Sequence, residues 1–563
     1  MIAYANFHII GVQMKSVFRL LPFAAGLAAS LSACTNNDTS DHSAAVTAAL
    51  QDKVQNIVVI YAENRSFDNL YGSFAGANGI PGVNPTAVGT LIPQTDRDAA
   101  NTVLTTLPQV WGGATAAGQT PVVTQADTLA ANLPNKPFAI ETAYGAGKEM
   151  PISVITRDLY HRFYENQMQI NGGKNDKFAA YADAGGLVMG YYDGSKMAMW
   201  NVAKQFTLAD NFFIGAYGGS FLNHQYLICA CAPEYPNADT ATAKPAITVL
   251  DTDNAGNYLA RLTQKAAPTS PASAMDGIPA FVNSGTITPA NYFGDGKFYA
   301  VNTMQPPFQP SSNAPAASDA TKLYADPTKA NTLPAQTKTN IGDLLTAKGV
   351  SWKWYAGDWD AATTAAATDR NFGSATPGVA PQFQFHHQPF NFYANLDPVT
   401  HAAQRKAHLQ DYNDLVADIA AGTLPQVTFY KPEGDLNQHA GYASVKAGDD
   451  HLVALLTQLQ ASPQWKNMVV VVTYDENGGF WDHVAPPKGD KLGPGTRIPA
   501  IIVSPYSKKN TVDHTQYDTA SILRLITRRF ELDTLPGLTA RDTALKANGF
   551  VPMGDLTNAL TLQ

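Results

Sequence analysis

Acidic and amide side chains follow two apolar segments that lie far apart in the chain. Glu63 and Asn64 follow the run NIVVIYA, and Asp475 and Glu476 follow the run MVVVVTY. Carboxylates that crowd into one place repel each other unless a cation lies between them, and carboxylate and amide oxygens are ligands for divalent metal ions. If the two segments are neighbouring strands, these residues predict a divalent metal site. The alternative is that each cluster caps the helix or turn that follows its strand.

A second candidate for chemistry is Ser220, which follows Gly218 and Gly219 and precedes a segment that can form a helix. Glycines permit a sharp turn, and the N–H groups at a helix N-terminus suit an oxygen that attacks an anion such as phosphate. We therefore interpret Ser220 as a candidate nucleophile. Serine is also a favoured N-cap residue, and the local sequence does not separate the two roles. Because the motif is not G-x-S-x-G, a lipase-like nucleophile elbow is disfavoured.

Several of the 12 histidines occur where a site could form. His439 lies in a polar loop after a predicted strand, His386 and His387 are adjacent among aromatic residues, and His161 lies in a predicted helix. His483 closely follows the second acidic pair and can be a ligand, a supporting group or a structural residue. A single histidine in such a place more often packs or hydrogen-bonds within a core than acts in catalysis. The residues alone therefore leave these roles open.

The elements that would position these residues alternate between strands and helices. Continuous Val/Ile runs are typical of strands that are buried on both faces. Apolar runs predict strands at 56–64, 350–357, 426–434, 468–479 and 498–507, and helical patterns occur at 153–170, 402–421, 449–461 and 519–530. This alternation predicts an α/β fold in which helices cover both faces of a central, mostly parallel sheet.

The N-terminal region predicts export. Its apolar stretch from Leu20 to Ala33 follows a basic start, has the length of a signal-peptide core and is too short to span a bilayer. The stretch ends in Leu-Ser-Ala-Cys34, which resembles the lipobox of bacterial lipoproteins. We therefore predict a signal peptide at 1–34, a flexible tether at 35–52 and a periplasmic or outer-membrane-anchored lipoprotein. Ordinary cleavage followed by secretion is the alternative.

Composition indicates a globular protein with a large core. The chain has 563 residues, of which 45% are hydrophobic and 15% charged, and its net charge of −8 gives no reason to expect nucleic-acid binding. Residues 53–563 are predicted to form a single domain with a loop-rich insertion at about 233–339. Three cysteines exclude a disulfide-built scaffold, and Cys229 and Cys231 are expected to be buried thiols.

Four motifs then occur in order: ENRSFDNLYG, GGSFLNHQ, NQHAGY and TYDENGGFWDHVAPP. Together they resemble the bacterial phosphoesterase family that contains acid phosphatases and phospholipases C, over most of the chain from Val54 to Phe530. The motif GGSFLNHQ is similar to that of the respiratory-burst-inhibiting acid phosphatases. The resemblance implies an alkaline-phosphatase-like three-layer sandwich, a phosphate ester substrate and a covalent intermediate on serine.

The resemblance also implies roles for particular residues. A single divalent metal ion of unknown identity would be held by Glu63, Asn64, Asp475, Glu476 and Ser220, and Ser220 would also be the nucleophile. Catalytic histidines would be His161, His387 and His439, and substrate contacts would come from Asn64 and His386. The resemblance does not separate His386 from His387, nor does it decide whether Glu476 touches the metal.

The function that we expect is a metal-dependent acid phosphatase with an acidic to neutral pH optimum, because protonated imidazoles would neutralise the phosphate. One alternative is a phospholipase C that cleaves phosphatidylcholine-type lipids, for which a lipid anchor would place the enzyme beside its substrate. The other is a non-catalytic surface lipoprotein whose metal stabilises the fold. The sequence leaves the physiological substrate and the oligomeric state open.

Overall fold

The computed structural model describes residues 43–96, 100–236, 243, 246–252, 258–259, 288–365 and 382–562. The signal peptide, Cys34 and much of the predicted insertion lie outside these residues, so those features stay predictions. Within the described part of the chain, we find no helix with both the length and the apolar character needed to cross a bilayer.

An eight-stranded sheet lies at the centre of the fold. The strands of the protein are, in chain order, β1 (Asn56–Ala62), β2 (Phe138–Ala139), β3 (Gly190–Tyr191), β4 (Thr207–Ala209), β5 (Phe212–Phe213), β6 (Val249–Thr252), β7 (Tyr258–Leu259), β8 (Thr288–Asn291), β9 (Trp352–Ala356), β10 (Leu409–Asp411), β11 (Val427–Lys431), β12 (Met468–Tyr474), β13 (Ala500–Val503), β14 (Thr511–Asp513) and β15 (Tyr517–Asp518). The central sheet has the order β10-β9-β11-β1-β12-β13-β4-β14. Only β13 runs antiparallel to its neighbours among these described strands.

Helices surround this sheet. They are, in chain order, α1 (Ala44–Lys53), α2 (Phe67–Tyr71), α3 (Gln125–Ala131), α4 (Phe163–Ile170), α5 (Ala198–Gln205), α6 (Ser220–Cys229), α7 (Ile341–Ala347), α8 (Trp359–Thr364), α9 (Ala402–His408), α10 (Tyr412–Ala421), α11 (Val445–Ala461), α12 (Thr519–Phe530) and α13 (Pro536–Ala547). Every residue of β1, β11 and β12 is buried, so both faces of these strands are covered. The prediction of an α/β fold with a mostly parallel central sheet is confirmed.

The two apolar strands that precede the acidic pairs are direct neighbours. β1 and β12 pair in parallel from Asn56 opposite Met468 to Ala62 opposite Tyr474. All residues of both strands are buried at the centre of the sheet, as a continuous apolar run predicts. Because the strands are parallel and in register, their carboxyl ends meet at one edge, and the residues that follow them are brought together.

Three segments differ from the predicted elements. Residues 44–52, predicted as part of a tether, belong to α1, which is capped by Ser43 and buries Val46 and Leu50. The helix predicted at 153–170 begins only at Phe163, so His161 lies in the loop before it. The helix predicted at 402–421 is divided into α9, β10 and α10, because Asp411 caps a new helix there.

The prediction that Cys229 and Cys231 are free thiols is wrong. They form a disulfide just after α6, with their Cα atoms 5.1 Å apart. Ala230 between them adopts a left-handed conformation, with φ of 49°. This conformation reverses the chain at the helix end and brings the two sulfur atoms together.

Candidate active site

The site begins where β1 and β12 end. Glu63, Asn64, Asp475 and Glu476 have side chains that are fully shielded from solvent. The backbone N–H of Asn64 donates to Oδ1 of Asp475 at 3.0 Å, and that of Arg65 donates to the carbonyl of Glu476 at 3.0 Å. The two strand ends are therefore joined directly, which answers the question whether the two acidic pairs meet.

A sharp backbone turn accompanies this junction. Asn64 has φ of 63°, in the left-handed region that asparagine tolerates better than most residues. Gly478, in the motif DENGG, has φ of 59°, and a Cβ atom there would lie 2.3 Å from the carbonyl oxygen of Asn64. Only glycine therefore lets the loop after β12 approach Asn64 this closely.

Ser220 points into the same junction. It is the first residue of α6, the N-cap is Gly219, and no side chain caps this helix. The Ser220 hydroxyl instead lies 3.3 Å from Oδ1 of Asn64 and 3.4 Å from Oε1 of Glu476. The interpretation of Ser220 as a structural N-cap is thus wrong, and its oxygen is directed at the acidic pairs.

The Ser220 side chain opens on a cavity of about 660 Å³ that is also lined by His161, His386 and His439. His387 is not among the lining residues, because it lies behind the cavity wall, where its Nε2 is 2.7 Å from Oε1 of Glu63. The sequence did not separate His386 from His387, and the geometry places His386 on the cavity wall and His387 against Glu63.

The three cavity imidazoles are arranged by neighbouring groups. Nε2 of His161 lies 3.4 Å from the Asn64 amide nitrogen, next to the Ser220 hydroxyl, and its ring meets that of His439 edge to face. The His439 ring stacks on Tyr442, with ring centres 4.2 Å apart. Burial lowers the pKa of His161, His386 and His439. Burial therefore favours the neutral form of these imidazoles in the substrate-free protein, whereas the sequence led us to expect the protonated form.

Glu63 is surrounded by hydrogen-bond donors. Oε1 faces His387 and the ammonium of Lys431, 3.3 Å away, while Oε2 accepts from Tyr442 at 3.1 Å and from Asn437. Burial opposes ionisation, but His387 and Lys431 hold the pKa of Glu63 well below its usual range. Lys431, Asn437 and Tyr442 were not among the site residues predicted from the sequence. A lysine that ends the otherwise apolar strand VTFYK was the available signal.

Asp475 and Glu476 are less fully compensated, since Lys431 lies farther from Asp475, at 3.8 Å, than from Glu63. Burial raises the pKa of Asp475 to about 7, and burial together with the charge of Asp475 raises that of Glu476 well above its usual value. Oδ2 of Asp475 has no hydrogen-bond partner among the described residues. A buried carboxylate oxygen without a partner is costly, and a divalent cation would relieve that cost. The donor set of carboxylates, an amide and a hydroxyl fits such an ion.

Three clusters of the described residues have ligand-type atoms within 4.8 Å of one another. They are Glu63, His386 and His387; Asp158, His161 and His439; and Asp68, Asp482 and His483. The third cluster already contains a cation, because the Arg497 guanidinium lies 3.0 Å from Asp68 and 3.1 Å from Asp482. It is therefore an ion-pair network beneath the site.

Comparison with known proteins identifies a matching family and two relatives. A sequence model of the Phosphoesterase family matches residues 54–533. Phospholipase C B of Mycobacterium tuberculosis is 33% identical over 171 residues, which cover 26% of this chain and 31% of that protein. Phospholipase C A of the same organism is 23% identical over 546 residues, covering 90% of this chain and 77% of that protein.

Among solved structures, a protein in the alkaline phosphatase superfamily from Vibrio parahaemolyticus matches with a TM-score of 0.22 and 12% identity, over 37% of this chain and 50% of that chain.

Proposed function

The chain belongs to the Phosphoesterase family, and we propose that it is a phosphomonoester hydrolase of the acid phosphatase type that acts through a phosphoserine on Ser220. The position of the Ser220 hydroxyl carries this proposal, because it lies 3.3 Å from Oδ1 of Asn64 and 3.4 Å from Oε1 of Glu476. It stands at a helix N-terminus and opens on a cavity, which suits attack on a phosphoryl group.

The reaction proceeds in two displacements. The Ser220 hydroxyl gives up its proton to solvent water as its oxygen attacks phosphorus, and the bond from phosphorus to the ester oxygen breaks, so that the alcohol leaves after gaining a proton. His161, His386 and His439 line the cavity, and one of these imidazoles, once protonated, donates that proton. Water then attacks the phosphoserine, releases inorganic phosphate and restores the serine hydroxyl. The other imidazoles hydrogen-bond to the phosphoryl oxygens.

One divalent metal ion is the proposed cofactor, held by Glu63, Asn64, Asp475, Glu476 and Ser220. When bound, such an ion favours an ionised hydroxyl and offsets the charge of a phosphoryl group. The unpartnered Oδ2 of Asp475 and the raised pKa values of Asp475 and Glu476 support this assignment.

Trapping of the covalent intermediate tests the proposal. After brief incubation with a phosphomonoester and an acid quench, peptide mass spectrometry should find phosphate on Ser220. The Ser220→Ala variant should lose turnover by about 10³-fold or more, because the attacking oxygen is gone. A suitable control is Ser444→Ala, which removes the N-cap of α11 and should retain turnover. Full activity of Ser220→Ala would overturn the assignment.

A phospholipase C is the second candidate function, since both curated relatives described above bear that name. The two candidates differ in the product that is released, because the phosphatase frees inorganic phosphate from a monoester and the phospholipase frees diacylglycerol from a diester. Parallel assays with p-nitrophenyl phosphate and phosphatidylcholine vesicles distinguish them. The phosphatase proposal requires faster turnover of the monoester.

A further inference from the structure

Lys431 occupies the centre of the acidic cluster. It is the last residue of β11, which pairs with β1, and its side chain is fully buried. The ammonium lies 3.3 Å from Oε1 of Glu63 and 3.8 Å from Oδ2 of Asp475, and it donates to the carbonyl of Ala62 at 3.3 Å. Lys431 thus lies beside the strand that carries Glu63 and reaches across it to the residue that follows β12.

Within the described part of the chain, no arginine and no second lysine lies within ion-pair distance of Glu63 or Asp475, the two carboxylates that face the Lys431 ammonium. The titratable groups that face it are Glu63 and Asp475, the Tyr61 ring with its centre 5.6 Å away, and the buried imidazoles of His224, His386 and His387. A buried ammonium is costly unless carboxylates pair with it, as Glu63 and Asp475 do here.

The charge of the cluster does not balance within the protein. Glu63, Asp475 and Glu476 are all shielded from solvent and supply three negative charges when ionised. Among the described residues, Lys431 is the only lysine or arginine within ion-pair distance of these three carboxylates. A single divalent ion would supply the two positive charges that remain, whereas two divalent ions together with Lys431 would leave an excess of positive charge in a buried place.

We propose that Lys431 is a positioning residue that supplies a counter-charge to Glu63 and Asp475 and so restricts the site to one divalent ion. The inference rests on the proposed metal site and adds the residue that sets how much cationic charge the site accepts. Lys431 acts through the carboxylates that it shares with the ion. The Lys431 ammonium and the proposed metal ion lie near the same two carboxylates, so they repel each other. Each neutralises a part of the negative charge of Glu63 and Asp475.

Two variants separate charge from packing. Lys431→Met keeps most of the side-chain length and removes the charge, while Lys431→Arg keeps the charge. Lys177→Met is a matched control, because Lys177 is also buried but donates to the carbonyl of Asp96. The full chain is prepared metal-free, and the affinity and stoichiometry of Mn²⁺ binding are measured by calorimetry alongside the melting temperature with and without Mn²⁺.

The wild-type chain should bind one Mn²⁺. In Lys431→Met, the metal-free protein should melt at a lower temperature, yet Mn²⁺ should bind about tenfold more tightly, because a repelling charge has been removed from a buried site. The rise in melting temperature on adding Mn²⁺ should therefore be larger than in wild type. Lys431→Arg and Lys177→Met should keep the wild-type affinity.

Several outcomes overturn the inference. Unchanged Mn²⁺ affinity in Lys431→Met would mean that the lysine only packs, and weaker binding would mean that it holds the ligands in place without competing with the ion. Binding of two Mn²⁺ ions per wild-type chain would also overturn it, and this measurement needs no variant to fold. Absence of binding by Mn²⁺, Zn²⁺, Mg²⁺ and Ca²⁺ would remove the proposed metal site itself, while phosphate trapping on Ser220 tests the nucleophile separately.

Discussion

Two adjacent histidines both approach Glu63, at 3.8 Å for His386 and 2.7 Å for His387, but only His386 also lines the cavity. His386 lines the cavity beside Ser220, while Nε2 of His387 lies 2.7 Å from Oε1 of Glu63. Burial lowers the pKa of His387 to about 3, so it is a neutral donor to the ionised Glu63. One residue is therefore positioned to contact substrate and the other to orient a proposed metal ligand.

This division predicts different effects of two variants. His386→Asn should lower kcat/KM for p-nitrophenyl phosphate by about 10²-fold, because a hydrogen bond to the phosphoryl group is lost, and should change Mn²⁺ affinity less than His387→Asn does, because His386 is the more distant of the two from Glu63. His387→Asn should weaken Mn²⁺ binding by about tenfold or more, because Glu63 loses a supporting donor. Steady-state kinetics and Mn²⁺ calorimetry measure the two effects. Equal loss of metal affinity in both variants would contradict the assignment.

At the level of residues, the sequence predicted that the two acidic pairs are neighbours, but it did not predict which other side chains surround them. The convergence of Glu63, Asn64, Asp475 and Glu476 followed from two parallel apolar strands. The choice between His386 and His387 did not, because adjacent residues in a short helical turn face different directions and no periodic pattern marks which faces a cavity. Lys431 was missed because a charged residue at a strand end usually marks solvent.

Elements beneath the site are joined by Arg497. Its guanidinium pairs with Asp68 of α2, which follows Glu63, and with Asp482, which follows Glu476. It also donates to the carbonyls of Asn78 at 2.8 Å and Asp210 at 2.7 Å. The backbone N–H of Asp68 donates to Asp482 at 3.0 Å, so the loops after β1 and β12 are held together twice. This network accounts for the acids in the motifs RSFD and FWDH.

Arg497→Lys should therefore loosen both loops. Lysine has no planar fork, so it cannot pair with Asp68 and Asp482 while donating to two carbonyls. We expect Mn²⁺ affinity to fall by about tenfold, since residues that support metal ligands act at this scale. Arg524→Lys is the control, because Arg524 makes a paired contact with Asp542 between α12 and α13.

Calorimetric titration with Mn²⁺ and thermal melting of the metal-free proteins separate the two outcomes. Both variants should melt at lower temperature, and only Arg497→Lys should bind Mn²⁺ more weakly. An equal melting shift with unchanged metal affinity in Arg497→Lys would show that the network stabilises the fold without positioning the loops.

Local sequence patterns predicted helix ends less reliably than helix interiors. The sequence predicted α12 over its observed span, because its apolar face is regular from Ile522 to Phe530. It extended α4 too far towards the N-terminus, since residues before Phe163 form a wall of the cavity and bond to other segments. The disulfide between Cys229 and Cys231 depends on the left-handed conformation of Ala230 between them. An alanine in the sequence does not predict that conformation, because alanine rarely adopts it.

At the scale of the whole molecule, the sheet is a rigid support for a site built from loops. β1 lies between β11 and β12, and all residues of these three strands are buried. The burial of these strands was predictable because continuous Val/Ile runs are typical of strands that are covered on both faces. The strand order and the antiparallel β13 were not, since strands that are distant in sequence are paired by contacts that no local pattern encodes.

Removal of metal should therefore loosen the loops and leave the sheet intact. We expect amide hydrogen exchange in residues 56–62 and 468–474 to stay slow in the metal-free protein, because these central strands open only with global unfolding. Exchange in residues 63–69 and 475–483 should accelerate, because the buried carboxylates of Asp475 and Glu476 lose their compensating cation.

Hydrogen-exchange mass spectrometry of the Mn²⁺-loaded and chelator-treated full chain measures this difference, with the peptide covering the end of α13 as an internal reference. If the strands and the loops accelerate together, the ion holds the sheet as well as the site. If neither region changes, the two strand ends do not share a metal ion, since a divalent ion bound to both would be expected to restrain both loops. Faster exchange confined to the loops would locate the ion where the buried charge is unbalanced.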